Sequence, residues 1–456
     1  MIESRNDVIE QLKKLLTNKM VTDQQLVSLL SRVGYIKPGC DCSVFINLQA
    51  SANPKIRTLA LKNLAKTANY NYMSHYMQVL RSEDSSEVRK EAVSAIGRLR
   101  DPRTIDVMKY LLDDKDPEVV LQALRGLICF KKRDDIFSIL LSMQSHSNEI
   151  IRSFIDKELN SSKDTGSKSD EVSSPDKLKN LVIEGDVARI LDFIPDESIH
   201  LTFTSPPYYN ARDYSIYQSY QEYLGFLEGI FKKIHRVTKE GRFFALNTSP
   251  IIIPRVSRQH SSIRYPIPFD IHPLLVDMGW EFIDDIVWVK PEASVKNRVA
   301  GFDMHRKPLA YKPNPRTEYV MVYRKKTHKL IDWNIRNYPY STVAKSKVEG
   351  EYDTSNVWEI DPVYDRVHSA VFPFLLCEKV IRYYSYMGDL VFDPFGGSGT
   401  FAKAALSLNR YFITTEIHSD YVRRIKANLT QKDILQDTKD ISFLNTESFQ
   451  ERMGEK

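Results

Sequence analysis

The chain has little cysteine and no long apolar run. Its four cysteines, Cys40, Cys42, Cys129 and Cys377, do not form paired metal-knuckle spacings, and Cys377 follows the apolar Phe374-Leu375-Leu376. Neither a structural zinc site nor a disulfide framework is expected. No stretch approaches about twenty uncharged apolar residues, and Met1 to Lys14 is polar and charged without an apolar signal region. A membrane span is not expected, and a cytoplasmic location is. Excess charge is also scarce, at +5 over 456 residues. With 42% hydrophobic and 27% charged residues, the chain has material for one large α/β core and a second module.

Against that background the run Thr204-Ser205-Pro206-Pro207-Tyr208 stands out. Two prolines lack N–H groups and have a fixed φ, so their carbonyls and Ser205 can stand at one edge of a flat, amino-bearing ring while Tyr208 lies against its face. Asp196 to Phe203 reads as a turn feeding a strand with apolar residues at 199, 201 and 203. The lip therefore sits at a strand end, where open α/β sheets place ligands. Taken alone, the run is equally an ordinary proline turn.

A second segment breaks the tie. Gly388 to Asp393 reads as a buried strand, Pro394-Phe395-Gly396-Gly397-Ser398-Gly399-Thr400 as a glycine loop, and Phe401 to Leu408 as a helix. That order makes a backbone N–H nest suited to a carboxylate or phosphate. Tyr411 to Thr415 reads as another strand ending in Glu416, twenty positions after Gly396, the offset at which an acid meets ribose hydroxyls. A flexible linker would not be wedged between a strand and an amphipathic helix. The loop lacks the Lys of a phosphate-binding P-loop, which disfavours a nucleoside triphosphate.

From about Leu181 to Leu429 these motifs, with 204–208 preceding 391–400, resemble the β class of S-adenosylmethionine-dependent amino methyltransferases of DNA. Ser-Pro-Pro-Tyr is similar to the cytosine-N4 branch, whereas adenine-N6 enzymes mostly carry Asp-Pro-Pro-Tyr. The resemblance implies a Rossmann-like α/β methyltransferase domain with circularly permuted motif order. It also implies methyl transfer from S-adenosylmethionine to the exocyclic N4 of a flipped cytosine in double-stranded DNA, within a restriction-modification or related system. Ser205, Pro206, Pro207 and Tyr208 would be catalytic. Asp186, at the end of Val182-Ile183-Glu184-Gly185-Asp186, would contact the cofactor adenine, and Phe372, in His368-Ser369-Ala370-Val371-Phe372-Pro373, would pack on its methionine part. Thr204, Asp393, Phe395, Gly396, Gly397, Ser398, Gly399, Thr400 and Glu416 would complete the cofactor site, with no metal. The cysteine contexts lack the Pro-Cys nucleophile of carbon-directed cytosine methyltransferases, so a covalent adduct is disfavoured. Adenine-N6 transfer, an RNA substrate, or an inactive domain serving as a DNA- or protein-binding scaffold are the alternatives.

Pro291 to Leu330 holds ten Lys/Arg against three acids, a balance of +7. Such a run can be a solvated surface. A phosphate-contacting, target-reading segment at about 291–357 is preferred, with Lys296, Arg298, Arg306, Lys307, Lys312 and Arg316 on DNA. Trp288 and Lys290, just before it, are read as packing support.

The first 160 residues are organised differently. Glu87-Val88-Arg89, Glu118-Val119-Val120 and Glu149-Ile150-Ile151-Arg152 recur at a spacing of 31, and Lys55-Ile56-Arg57 precedes the first by 32. Ile56/Ala60/Leu61/Leu64, Val88/Ala92/Val93/Ile96 and Val119/Ala123/Leu124/Leu127 superpose at helical spacing. This resembles HEAT-type repeats forming an all-α solenoid over 1–160. Twenty-four Lys/Arg against twenty acids leave the solenoid free to dock on DNA, dock on a protein, or serve only as a brace. Ser161 to Pro175 is polar and low in complexity, a linker extending to about 178 before a catalytic domain at 179–456.

Overall fold

The computed structural model describes residues 7–17, 21–36, 39–160, 174–209, 217–253, 257, 259, 260, 262–363, 371–430 and 441–454. Most of the expected linker, 161–173, and His368, Ser369 and Ala370 lie outside the described residues. The chain divides into two compact units, 1–167 and 168–456.

The first unit is helical. Pro54–Leu64, Ser86–Arg98, Pro117–Ile128 and Glu149–Asn160 are the repeat helices that the spacing predicts. Each of the twelve superposed apolar positions is fully buried, from Ile56 through Leu127. Asn53 and Asp116 cap their helices by accepting from Lys55 N and Glu118 N, both at 2.9 Å, with proline at the first helical position. The recurring arginine has a physical role. Arg57, Arg89 and Arg152 each donate through Nη1 to two successive carbonyls of the loop before their own helix, at 2.6 to 3.3 Å. Close helix approach rests on glycine, since a Cβ on Gly97 would stand 3.3 Å from Gly126 Cα.

The second unit is built on strands β1 (Leu181–Glu184), β2 (Ile199–Thr204), β3 (Thr238–Thr248), β4 (Ile251–Ile253), β5 (Ile263–Tyr265), β6 (Trp280–Val289), β7 (Thr317–Lys325), β8 (Val357–Glu359), β9 (Leu390–Asp393), β10 (Tyr411–Glu416) and β11 (Ser442–Asn445). Nine of them form one sheet in the order β11-β1-β10-β9-β2-β3-β7-β6-β8, and β4 and β5 pair apart. Within the large sheet only β7 runs antiparallel to its neighbours. Helices cover both faces. Val187–Phe193 and Tyr220–Val237 pack on one, with Leu181, Ile183, Phe392 and Ile413. Phe374–Tyr384 and Thr400–Ser407 pack on the other, with Val182, Leu201, Val391 and Phe412.

The alternating residues of β2 do not share a face as their spacing suggests. A register shift between Ile199 and Leu201 puts Ile199 in one core and Leu201 and Phe203 in the other. All six residues of β2 are buried, because the strand is central and covered on both sides. From β9 the chain passes to Thr400–Ser407 on one face, and from β2 to Tyr220–Val237 on the other. Adjacent strands whose connections leave to opposite faces open a crevice at their carboxyl ends. Both sequence motifs end there. Among the described residues no helix is long and apolar enough to cross a membrane.

Among the described residues, the buried members of the repeat core come from 8–155 and those of the sheet cores from 178–449. Leu124→Ala, a cavity in the repeat core, should therefore cost about 2–5 kcal/mol in the repeat unit alone. Calorimetry should show one transition lowered and the other in place, and an equal shift in both would contradict separate cores.

Candidate active site

The crevice between β2 and β9 is closed by a hydrogen bond across the strand ends. Thr204 Oγ1 donates to Asp393 Oδ1 at 2.8 Å, and Phe395 N donates to the same oxygen at 3.1 Å. Burial pushes the Asp393 carboxyl up to about 7, against the opposing pull of these two bonds. At the end of β10, Glu416 accepts from Gly397 N through Oε2 and from His418 N through Oε1, both at 2.9 Å. Burial raises its carboxyl above the ordinary range as well.

The glycine loop corrects one sequence expectation. Phe395 N goes to Asp393, Gly396 N to Thr415 O, Gly397 N to Glu416 and Gly399 N to Gly396 O. These four amides hold the loop itself and do not form an open anion nest. The Ser398 and Thr400 hydroxyls, 3.0 Å apart, also stand at the crevice. Gly396 is required sterically, because a Cβ there would lie 2.1 Å from Thr414 Oγ1.

A cavity of about 570 Å³ joins the two motifs, a size usual for a small-molecule pocket. Its wall includes Ser205, Pro206, Pro207 and Tyr208 together with Asp186, Phe372, Asp393, Phe395, Gly396, Gly397, Ser398, Thr400 and Glu416. Asp186 also caps the helix Val187–Phe193 through Ala188 N, at 2.8 Å. Phe372 stacks on Phe203 with centroids 4.7 Å apart. Thr204 and Gly399 are not in the wall: Thr204 works through Asp393, and Gly399, at φ +80°, turns the chain into its helix.

Trp288, Lys290 and Glu318 are among the wall residues that had no place in the sequence-derived site. Tyr208 Oη donates to Glu318 Oε2 at 3.1 Å, and the other Glu318 oxygen pairs with the Lys290 ammonium. Lys290 in turn stands 4.5 Å from the Trp288 ring centroid. Burial, then the Glu318 carboxylate, holds the Tyr208 hydroxyl far above its usual range, so it stays a donor. Trp288 and Lys290 are thus part of the pocket and not only packing support. Glu318 reaches it because β7 is antiparallel, which brings the start of that strand beside the ends of its parallel neighbours. In the sequence Glu318 is one of three acids diluting a basic run; an acid at the entrance of an apolar strand is the signal that could have found it.

That basic run is less free than its composition suggests. Arg324 is buried and donates to the carbonyls of Gly241, Lys329 and Leu330, while Lys325 and Lys329 pair with Glu197 and Glu240. Lys296, Arg306, Lys307, Lys312 and Arg316 are exposed and Arg298 is half-buried, all in the excursion between β6 and β7. None lines the cavity, and Arg316 Nε donates to Lys290 O at 2.9 Å.

Both units are similar in sequence to known proteins. The sequence model of the DNA methylase family matches residues 199–427, just over half of the chain, and that of HEAT repeats matches residues 43–128. The orphan methyltransferase M.BamHII of Bacillus amyloliquefaciens is 30% identical over 244 residues, covering 50% of this chain and 87% of that protein. The type II beta methyltransferase M.BslI of Bacillus sp. (strain NEB-606) is 29% identical over 269 residues, but the chain spans only 27% of its length. A solved structure of PvuII DNA methyltransferase (cytosine-N4-specific) is 20% identical, covers 62% of this chain and 94% of its own, and has a TM-score of 0.42.

Asp393 gives the unit a pH signature. Its folded-state pKa lies above the unfolded value, so the folded chain holds the extra proton and stability falls as pH rises from about 4 to about 7. Without added ligand, Asp393→Asn should remove up to about 1.4 kcal/mol per pH unit of that slope. Denaturant titrations across the window check this, and parallel curves for the two proteins would contradict it.

Proposed function

This chain belongs to the DNA methylase family, and on that basis we propose that it transfers a methyl group from S-adenosylmethionine to the exocyclic N4 of a cytosine flipped out of duplex DNA. The observation that carries the reading is the meeting of Ser205-Pro206-Pro207-Tyr208 with the glycine loop in one cavity. Relatives named as type II methyltransferases support a role in restriction-modification.

The donor set fits the cofactor. Asp186, Asp393 and Glu416 bring carboxylates to a ligand with cationic and hydroxyl groups, the Ser398 and Thr400 hydroxyls suit its carboxylate, and Phe372 supplies an apolar wall. Glu416 has acceptor capacity left after its two backbone bonds, enough for ribose hydroxyls. When bound, the cofactor supplies an electrophilic methyl group on a sulfonium centre.

The chain's own part is to orient the base. The exocyclic nitrogen is a poor nucleophile because its lone pair is delocalised into the ring. Accepting its hydrogens at Ser205 Oγ and the Pro206 carbonyl favours a tetrahedral nitrogen with that lone pair exposed, and alignment contributes much of the rate. Tyr208, fixed through Glu318 to Lys290, presents its ring to the base. Flipping costs a few kcal/mol, which phosphate contacts from Lys296, Arg298, Arg306, Lys307, Lys312 and Arg316 would offset. The cytosine assignment rests on Ser205, whose short hydroxyl suits the smaller ring. The permuted motif order and the domain limits at 160 and 179 belong to this reading.

Ser205→Ala and Tyr208→Ala should each lower turnover by orders of magnitude with cofactor affinity nearly intact, because both act on the base. Mass spectrometry of nucleosides from DNA methylated by the wild-type chain should show N4-methylcytosine. N6-methyladenine would overturn the base assignment, and no methylated base in any DNA would overturn the activity.

Glu416→Ala should weaken S-adenosylmethionine binding by more than about 1 kcal/mol, as hydrogen bonds to a charged acceptor are removed. Calorimetric titration reads this, and an unchanged affinity would remove Glu416 from the cofactor site.

A further inference from the structure

The exposed face of the repeat helices is electrically divided along its length. Because the four helices are copies spaced by 31 or 32 residues, equivalent positions line up as rows across them. In the fourth copy buried Ile151 stands where buried Val119 does in the third, a spacing of 32. Toward the helix starts, opposite charges are tied from one repeat to the next. Lys55 Nζ lies 3.5 Å from Glu87 Oε1, and Lys90 pairs with Glu118.

Toward the helix ends the pattern changes. One row holds Lys62, Ser94, Arg125 and Lys157, and the next holds Lys66, Arg98 and Cys129, five cations with no acid among them. All five cations are exposed. Three form a local cluster, since after burial the charges of Lys62 and Arg98 are what lower the Lys66 pKa. Glu91, one turn back, pairs with Arg98 at 3.2 Å and leaves the other cations of these rows in excess.

Cations in the last turn of a helix also favour the helix dipole, which would be a purely local role. That does not account for five exposed cations, drawn from four successive repeats, falling in two neighbouring rows that hold no acid. A regular array of one sign suits a regular array of the other, and neither row contains a large apolar residue of the kind that anchors protein interfaces.

We propose that these rows bind the phosphate backbone of duplex DNA without reading its sequence, making the repeat unit a second DNA-holding surface. The proposal rests on the reading that the other unit acts on DNA. Because both units are one chain, binding by either raises the local concentration of DNA for the other.

The test uses the full-length chain and a duplex of arbitrary sequence, with affinity measured against salt concentration. The variant K62Q/R98Q/R125Q/K157Q should flatten the slope of log affinity against log salt by about 0.9 for each phosphate it no longer neutralises, about 3 to 4 in all. The variant K55Q/K90Q, altered on the same face where charges are paired, should keep the wild-type slope. Equal slopes in the wild type and the quadruple variant overturn the proposal, whether or not the variant melts lower, and so does an equal flattening in both variants. Failure of the catalytic reading would appear separately, as absence of methylated product from the wild-type chain.

Discussion

The hydrogen bond from Thr204 to Asp393 is the constraint on which the rest of the second unit depends. It joins strand ends 189 residues apart in sequence, at the point where the chain leaves β2 and β9 toward opposite faces of the sheet. A buried carboxyl raised toward neutrality is unfavourable by itself, and it is tolerated here because a hydroxyl and an amide are aimed at it. With those ends held together, the proline lip and the glycine loop share one cavity wall. Glu416 closes the far side by gripping the same loop through Gly397. The loop is therefore shaped by the protein's own carboxylates before any ligand meets it.

The repeat unit is held by a different logic, in which each copy stabilises the next. Arginine ties each of three loops to the helix that follows, and Val120 occupies that place in the remaining copy. Alanine and glycine let the helices approach, while ion pairs run between neighbouring copies on the surface. Such an assembly adds a similar interface with every copy.

Much of this was legible because the signals were local or periodic. The repeat core follows from a spacing of 31 or 32 residues, and the strand, loop and helix around Gly396 follow from composition alone. What escaped reading depends on topology. The register shift that puts Ile199 and Leu201 in opposite cores is carried by the partner strand β3, where Gly241 stands at φ +69°, so no window around residue 199 announces it. Glu318 enters the pocket only because β7 runs against its neighbours, a fact no window around residue 318 contains. The loop amides read as a free nest because sequence shows the glycines but not the carboxylates that fold back onto them. The charge of the 291–330 segment was read correctly as a sum, yet Arg324, Lys325 and Lys329 belong to the sheet's own interior and edge.

The reversed strand has a consequence for how such a unit can change. Trp288 and Glu318 face each other across β6 and β7, and Arg316 is tied to the Lys290 carbonyl, so the intervening stretch begins and ends at one fixed gate beside the pocket. Its length and composition can vary while the sheet register and the Lys290–Glu318–Tyr208 chain stay put. The arrangement is a socket: the excursion can be exchanged like a fitted part while the pocket wall beside it stays unaltered.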